Sequence, residues 1–139
     1  MNDYGPSHQR PAWESGDGWS DVTKVVIQDD VTSIGGSAFR KCTSLESVTI
    51  GNSVKTIGDI AFGECESLGS VAIPGSVTSI GDAVFYHCTS IASITVDADN
   101  TAYSSEDGVL FNKEKTELIQ YPLGNTRESY NVPGTVASI

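Results

Sequence analysis

The sequence predicts an α/β solenoid of stacked short coils, each with a short parallel strand and a short helical turn, and with one inserted β-hairpin. Three observations support this prediction. Apolar residues recur at a fixed interval of 23 positions. Within each interval, the spacing of the apolar residues changes from two to three or four. After Val96 the interval fails, and two β-type runs follow.

The repeat determines the architecture, because a unit of 23 residues is too short to bury an apolar face by itself. Stacking such units buries equivalent residues in columns along a shared core. The columns that coincide at this interval are Val25, Val48, Val71 and Ile94; Ile27, Ile50, Ile73 and Val96; Val31, Val54 and Val77; Ile34, Ile57 and Ile80; Phe39, Phe62 and Phe85; Cys42, Cys65 and Cys88; and Leu45, Leu68 and Ile91. We therefore expect one continuous core along the stack.

Each unit divides into a strand, a turn, a short helical stretch and a return. Residues 45–50 alternate in polarity, which predicts a strand with its apolar residues facing inward. Gly-Asn at 51–52 and Pro-Gly at 74–75 follow the strands and predict turns. In residues 58–65 the apolar residues lie three or four apart, which predicts one or two helical turns. The strands should form a parallel sheet with about 4.8 Å between neighbours.

A family resemblance rests on one string within this repeat. The pattern I-G-x-x-A-F-x-x-C-x-S-L-x-x-V-x-I spans residues 57–73 and recurs in close variants on either side. It resembles the BspA-like (TpLRR) class of leucine-rich repeats, from about Val22 to Ile139. Val84 and Ile91 replace the usual Ala and Leu, which are both apolar exchanges. The resemblance implies a leucine-rich-repeat right-handed superhelix in a class of typically surface proteins, several of them implicated in adhesion.

The chain divides into four predicted segments. Residues 1–21 form an N-terminal capping segment, similar to what often precedes the first repeat in this class, in which Trp13 and Trp19 would cover the end of the core. Residues 22–96 hold three regular repeats and the strand of a fourth. Residues 97–129 are an irregular insertion, and residues 130–139 begin a further, truncated repeat.

The insertion contains two β-type runs, at residues 108–111 and 117–121, around the charged turn at 112–116. This arrangement predicts a β-hairpin. The string D-G-V-L-F-N-K…Y-P-x-G within it resembles an irregular unit of the BspA-like class. Two roles remain open at this point. The hairpin changes the curvature of the solenoid, or it protrudes as a recognition element, because insertions in solenoids map to one face.

Charge and hydropathy exclude several classes of partner. Lys and Arg number 8 against 18 Asp and Glu, a formal net charge of −10. This charge repels phosphate backbones and anionic membrane surfaces, so we expect no nucleic-acid partner. No apolar run is long enough to span a bilayer, so we expect no membrane insertion.

The two ends of the sequence suggest a fragment of a longer protein. The first residues lack the basic and apolar regions of a signal peptide. Ile139 falls inside a repeat, at the position equivalent to Ile80. Unpaired strand edges and apolar ends associate readily, so we expect weak self-association through an uncapped C-terminal end.

The three cysteines predict buried structural thiols. Cys42, Cys65 and Cys88 form an inward column in which stacked side chains run parallel, and their odd number leaves at least one unpaired. No C-x-x-C motif or nearby histidine pair suggests zinc. His87 lies beside Cys88, but adjacent residues on a helical turn point about 100° apart, and no third orienting group is present. We expect no catalytic residues.

The acidic residues of the insertion predict a solvated loop. Asp97, Asp99, Glu106 and Asp107 do not match the calcium-binding pattern D-x-D-x-D-G, because Thr101 stands at its fifth position. No nucleotide-binding or hydrolase motif occurs in the sequence. We therefore expect no metal and no cofactor.

Two groups of residues are candidates for protein binding. The outward positions of the strands are small and mildly polar, and lack the Trp, Tyr and Arg side chains that dominate interfaces. The outward candidates are Ser47, Thr49, Ser70, Ser93 and Thr95. Tyr103, Tyr121 and Tyr130 surround the insertion and are better anchors.

These observations predict a non-catalytic protein-interaction module. The resemblance implies an extracellular or cell-surface location in a bacterial adhesin-like protein, and a host, matrix or cell-surface protein as partner. The alternative is a structural spacer, or an accessory domain of a larger surface protein.

Overall fold

The computed structural model describes residues 21–139. The predicted capping segment at residues 1–21, with Trp13 and Trp19, lies outside the described residues except for Asp21. No helix long and apolar enough to cross a membrane occurs within the described range.

The described residues form ten short strands. In chain order they are β1 (Lys24–Val26), β2 (Ser33–Ile34), β3 (Ser47–Thr49), β4 (Thr56–Ile57), β5 (Ser70–Ile73), β6 (Ser79–Ile80), β7 (Ser93–Val96), β8 (Tyr103–Glu106), β9 (Val109–Asn112) and β10 (Leu118–Gln120). The first seven belong to the repeating coils, two to each full coil. The last three belong to the insertion.

The coils stack in the predicted 23-residue register. β1 pairs parallel with β3, with Val25 opposite Val48, and β5 pairs parallel with β7, with Val71 opposite Ile94. The two-residue strands β2, β4 and β6 form a second parallel ladder on another side of each coil. The prediction of short parallel strands is therefore confirmed.

The core follows the predicted columns. The rings of Phe39, Phe62 and Phe85 stack almost parallel, with centroids 5.4 and 5.9 Å apart. Phe62 and Phe85 are essentially inaccessible to solvent, like most residues of the other columns. Each ring contacts the equivalent ring of the next coil, so the apolar surface of one coil is buried by its neighbours.

The predicted helical turns are absent, and this part of the prediction is wrong for the described residues. Residues 59–64 form successive tight turns. Positive φ angles recur at two points in each coil, which an α-helix does not allow. These residues are Ser37, Ile60 and Ala83, and then Lys41, Glu64 and His87.

The spacing of the coils explains why turns replace helices. Packed helices need about 8–10 Å between their axes, whereas adjacent strands need only about 4.8 Å. The phenylalanine rings on the turn side are only 5.4 and 5.9 Å apart. The turns therefore bond directly to the next coil, for example through Phe39 N–H and Ala61 C=O at 2.7 Å.

The insertion is a three-stranded antiparallel sheet with the order β10-β9-β8. β9 and β10 pair where the sequence predicted a hairpin, with Phe111 opposite Leu118. The sequence reading missed β8, which pairs with β9 across the turn at Asp107-Gly108. Val109, Phe111 and Leu118 form a small second core, while Leu110 joins the core of the coils.

The stacking register predicts a specific effect of adding one methyl group at Gly58. A Cβ atom there would lie 2.8 Å from Gly35 C and from Gly36 Cα in the preceding coil. Backbone atoms of a packed coil cannot move aside cheaply, so we expect Gly58→Ala to lower the free energy of unfolding by about 1–3 kcal/mol. Gly134→Ala is the control, because a Cβ there meets no atom within 4 Å. Urea unfolding would measure both, and equal midpoints for the two variants would contradict the register.

Candidate functional site

The three thiols lie in the core, where they have a structural role. Cys42, Cys65 and Cys88 are free and buried, as predicted. The Cys65 thiol donates to Phe39 C=O at 3.2 Å, and the Cys88 thiol donates to Phe62 C=O at 2.9 Å. Hydrogen bonding to the neighbouring Cys42 and Cys88 thiols, together with burial, raises the pKa of Cys65. The Cys65 thiol, kept neutral in this way, is a poor nucleophile.

His87 and Cys88 do not form a reactive pair. The His87 ring is exposed and packs against the Tyr86 ring at a tilt of 37°, with centroids 4.4 Å apart. The Cys88 thiol is buried and donates to Phe62 C=O in the preceding coil. The His87 side chain is therefore exposed to solvent, whereas the Cys88 side chain lies in the core.

Two acidic side chains of the insertion are engaged in local contacts. The Asp97 carboxylate accepts from Asp99 N–H at 2.8 Å, and Glu106 forms an ion pair with Lys115 at 3.2 Å. Within residues 21–139, no group of three or more His, Cys, Asp or Glu is arranged to hold a metal ion.

The outward strand residues form an exposed surface, which we call the outer strand face. It comprises Ser47, Thr49, Ser70, Ala72 and Thr95, all exposed, and Ser93, which is half-buried. Ser93 is less exposed because the tip of the insertion lies against it. Gly108 C=O accepts from Ile94 N–H at 2.8 Å. The insertion therefore bounds the outer strand face on one side.

An open groove of about 370 Å³ crosses the outer strand face at the ends of β3, β5 and β7. Thr49, Ala72, Pro74 and Thr95 contribute to its lining. Among the described strands, β3 pairs with β1 and β5 pairs with β7. Asp97 N–H donates to Ile73 C=O at 3.0 Å, but Pro74, the equivalent residue one coil earlier, has no N–H to donate. The hydrogen bond that Pro74 cannot donate to the preceding coil is therefore missing where the groove lies.

Tyr103 has a structural position. Its ring packs against the main core, and its hydroxyl accepts from Ile80 N–H at 2.8 Å. The hydroxyl thus takes the place of a carbonyl from a further coil at the edge of β6. The sequence placed Tyr103 among the binding anchors, but its polar group is already engaged within the chain.

Tyr121 and Tyr130 belong to a cluster around Arg127 that the sequence reading did not anticipate. The two rings meet edge to face with centroids 5.3 Å apart, and the Arg127 guanidinium carbon lies 5.3 and 5.1 Å from them. Arg127 also donates to Asp107 C=O at 2.7 Å. Desolvation and the negative charges of Glu106 and Asp107 raise the pKa of Tyr130. The cluster ties the insertion to the segment that follows it.

Asn100 is the buried polar residue of the described core, and the sequence reading also missed it. Its amide nitrogen donates to Pro74 C=O and Val77 C=O, both at 2.9 Å. Its amide oxygen accepts from Ala102 N–H at 2.7 Å and Tyr103 N–H at 2.8 Å. The signal was present, because Asn100 stands 23 positions after Val77, where the column calls for an apolar residue.

The sequence matches a known repeat family over most of its length. The profile described as the BspA type leucine rich repeat region matches residues 18–131 in six copies. No curated protein matches the chain.

Three solved structures illustrate the likeness. The pneumococcal vaccine antigen PcpA has a TM-score of 0.79 and 33% identity, over 82% of this chain and 29% of that protein. A leucine-rich cell surface protein from Faecalibacterium prausnitzii has a TM-score of 0.76 and 34% identity, over 84% and 31%. The T. pallidum leucine rich repeat protein has a TM-score of 0.55 and 34% identity, over 57% and 37%. The chain thus spans less than a third of the first two proteins.

The position of Tyr103 leads to a prediction about stability. Tyr103→Phe removes the hydroxyl that accepts from Ile80 N–H and keeps the ring. We expect a loss of about 1 kcal/mol in the free energy of unfolding, the usual contribution of such a hydrogen bond. Urea unfolding would measure it. Tyr86→Phe is the matched control, because the Tyr86 side chain is exposed and its hydroxyl makes no hydrogen bond within residues 21–139. Identical midpoints for both variants would show that the hydroxyl has no capping role.

Proposed function

The chain belongs to the BspA-type leucine-rich repeat family, and from that premise we propose that it is a protein-interaction segment of a larger bacterial cell-surface or secreted protein. The similarity to a vaccine antigen and to a cell surface protein supports this location. The chain spans only 29% and 31% of those proteins, which favours its being one part of a longer array.

The observation that carries the proposal is the outer strand face with its groove. Its side chains repeat in register from coil to coil, and the groove of about 370 Å³ offers a concave place for a partner side chain or turn. Small polar residues of this kind form few strong contacts individually. Many weak contacts along a longer array would add up through multivalency.

The net charge of the chain limits the kind of protein surface that it would bind. With a formal charge of −10, the chain attracts basic protein surfaces and repels acidic ones. Electrostatic attraction of this kind raises the association rate and weakens as salt is added. We therefore propose a basic surface on a host, matrix or other cell-surface protein as the partner, in the manner of an adhesin.

A spacer or accessory role is the second candidate. It is favoured by the absence of Trp, Tyr and Arg from the described positions of the outer strand face, and by the internal engagement of Tyr103, Tyr121 and Tyr130. A spacer needs only a stiff, well-packed stack. It would therefore bind no partner through its outer strand face.

Binding of the chain to immobilised fibronectin and collagen would test the proposal. Ala72→Arg places a long charged side chain in the groove, and we expect it to weaken binding at least about fivefold, the usual effect at an important contact. Ser79→Arg makes the same change of charge on the second ladder and is the control. Binding that both variants retain would remove the outer strand face as the contact. No binding by the unaltered chain would favour the spacer.

A further inference from the structure

One carbonyl beside the groove lacks the hydrogen bond that its equivalent makes in the next coil. Ile73 C=O accepts from Asp97 N–H at 3.0 Å, whereas Ile50 C=O has no hydrogen-bond partner among residues 21–139. Pro74 stands where the donor to Ile50 would be, and a proline has no N–H to donate. Ile50 and Pro74 both line the groove. The residue type at position 74 therefore leaves the two coils unbonded at this point.

The lining of the groove is largely aliphatic. Ile50 and Ile73 belong to the main core, Pro74 and Val96 are half-buried, and Ala72 is exposed. Aliphatic surface of this kind packs favourably against the methylene groups of a partner side chain. The groove can therefore hold a flexible hydrocarbon chain along its length.

Asp97 gives the groove its charge. Among the described residues of the lining, it is the one that carries a charge, and it is exposed. One of its carboxylate oxygens accepts from Asp99 N–H at 2.8 Å. The other makes no hydrogen bond or ion pair with any described residue, although Lys113 Nζ lies 3.5 Å from the neighbouring Ala98 C=O. One carboxylate oxygen is therefore available to a partner.

An aliphatic lining beside one available carboxylate oxygen suits lysine. Lysine can lay its methylene groups on apolar surface while its ammonium group reaches a charge. The ammonium group is a compact point charge, whereas the guanidinium group of arginine pairs most strongly with both oxygens of a carboxylate at once. At Asp97 the bond from Asp99 N–H already engages one of those oxygens. The groove therefore favours lysine over arginine, and the net charge of −10 favours either over an acidic side chain.

We propose that the groove binds a lysine side chain of the partner protein. The methylene groups lie across Ala72 and Pro74, and the ammonium group donates to the available oxygen of Asp97. This inference rests on the proposed function, and it names the partner's residue and the atoms that recognise it.

Amide NMR of the full chain, titrated with the blocked peptide acetyl-Gly-Ser-Lys-Ser-Gly-amide, tests the proposal. We expect the amide signals of Ala72, Thr95 and Asp97 to shift, and those of Thr56 and Ser79 on the second ladder to stay in place. Norleucine in place of lysine keeps the aliphatic chain without the ammonium group, and it should weaken binding about two- to fivefold, the contribution of an exposed ion pair. Arginine in place of lysine should also weaken binding. Absence of shifts at the groove, or equal or tighter binding of either altered peptide, would overturn the proposal.

A matched pair of variants tests the role of Asp97. Asp97→Asn keeps an oxygen that can accept from Asp99 N–H and removes the charge. We expect it to weaken binding of the lysine peptide about two- to fivefold and to leave binding of the norleucine peptide unchanged. Asp82→Asn makes the same change of net charge at an exposed residue on the side of the turns, and it should leave both affinities unchanged. Equal affinities of the two variants for the lysine peptide would also overturn the proposal.

Binding to immobilised fibronectin and collagen separates this inference from the proposed function. Matrix binding that Ala72→Arg weakens and Asp97→Asn leaves unchanged would overturn the lysine site and keep the proposed function. Lysine-peptide shifts at the groove without matrix binding would keep the lysine site and remove the adhesin role.

Discussion

The parallel main-chain ladder between coils is the constraint on which the rest of the structure depends. Strands in register lie about 4.8 Å apart, so every other part of a coil must stack at nearly the same spacing. The phenylalanine rings meet this requirement, with centroids 5.4 and 5.9 Å apart. The thiols of Cys65 and Cys88 meet it by donating to carbonyls of the preceding coil. Gly58 meets it by having no side chain, because the preceding coil occupies the place of a Cβ.

The insertion shows how such a ladder can be ended inside the chain. Asn100 replaces an apolar core residue and binds two carbonyls of the third coil, while the Tyr103 hydroxyl closes the edge of β6. Gly108 C=O then pairs with Ile94 N–H at the side of β7. On the side of the turns, no described residue makes the equivalent contact to the third coil. The main-chain groups at the end of the stack are therefore paired on the β6 side and the β7 side, and they are unpaired on the side of the turns.

The sequence predicted the parts of the fold that depend on the interval of 23 residues. It identified the columns, the parallel strands and the buried thiols, because residues at equivalent positions of successive 23-residue units take the same place in each coil. It failed for residues 58–65, since an apolar spacing of three or four does not distinguish a helix from stacked turns. The positive φ angles of Ile60 and Glu64 decide between them, and neither residue type signals such an angle. It did not anticipate the internal contacts of Tyr103 and Tyr121, because such contacts cannot be read from residue type when an insertion folds back on the core, and their part in protein binding stays a prediction.

If coil-to-coil main-chain bonding holds the stack, its interruption at the third coil must appear in the exchange of individual amides. Native-state hydrogen exchange measures this directly by comparing equivalent donors in neighbouring coils. We expect the amides of Ile60, Phe62 and Glu64 to exchange at least roughly 100-fold more slowly than those of Ala83, Phe85 and His87, because only the former are bonded to a further coil. Equal protection of the two sets would contradict the account.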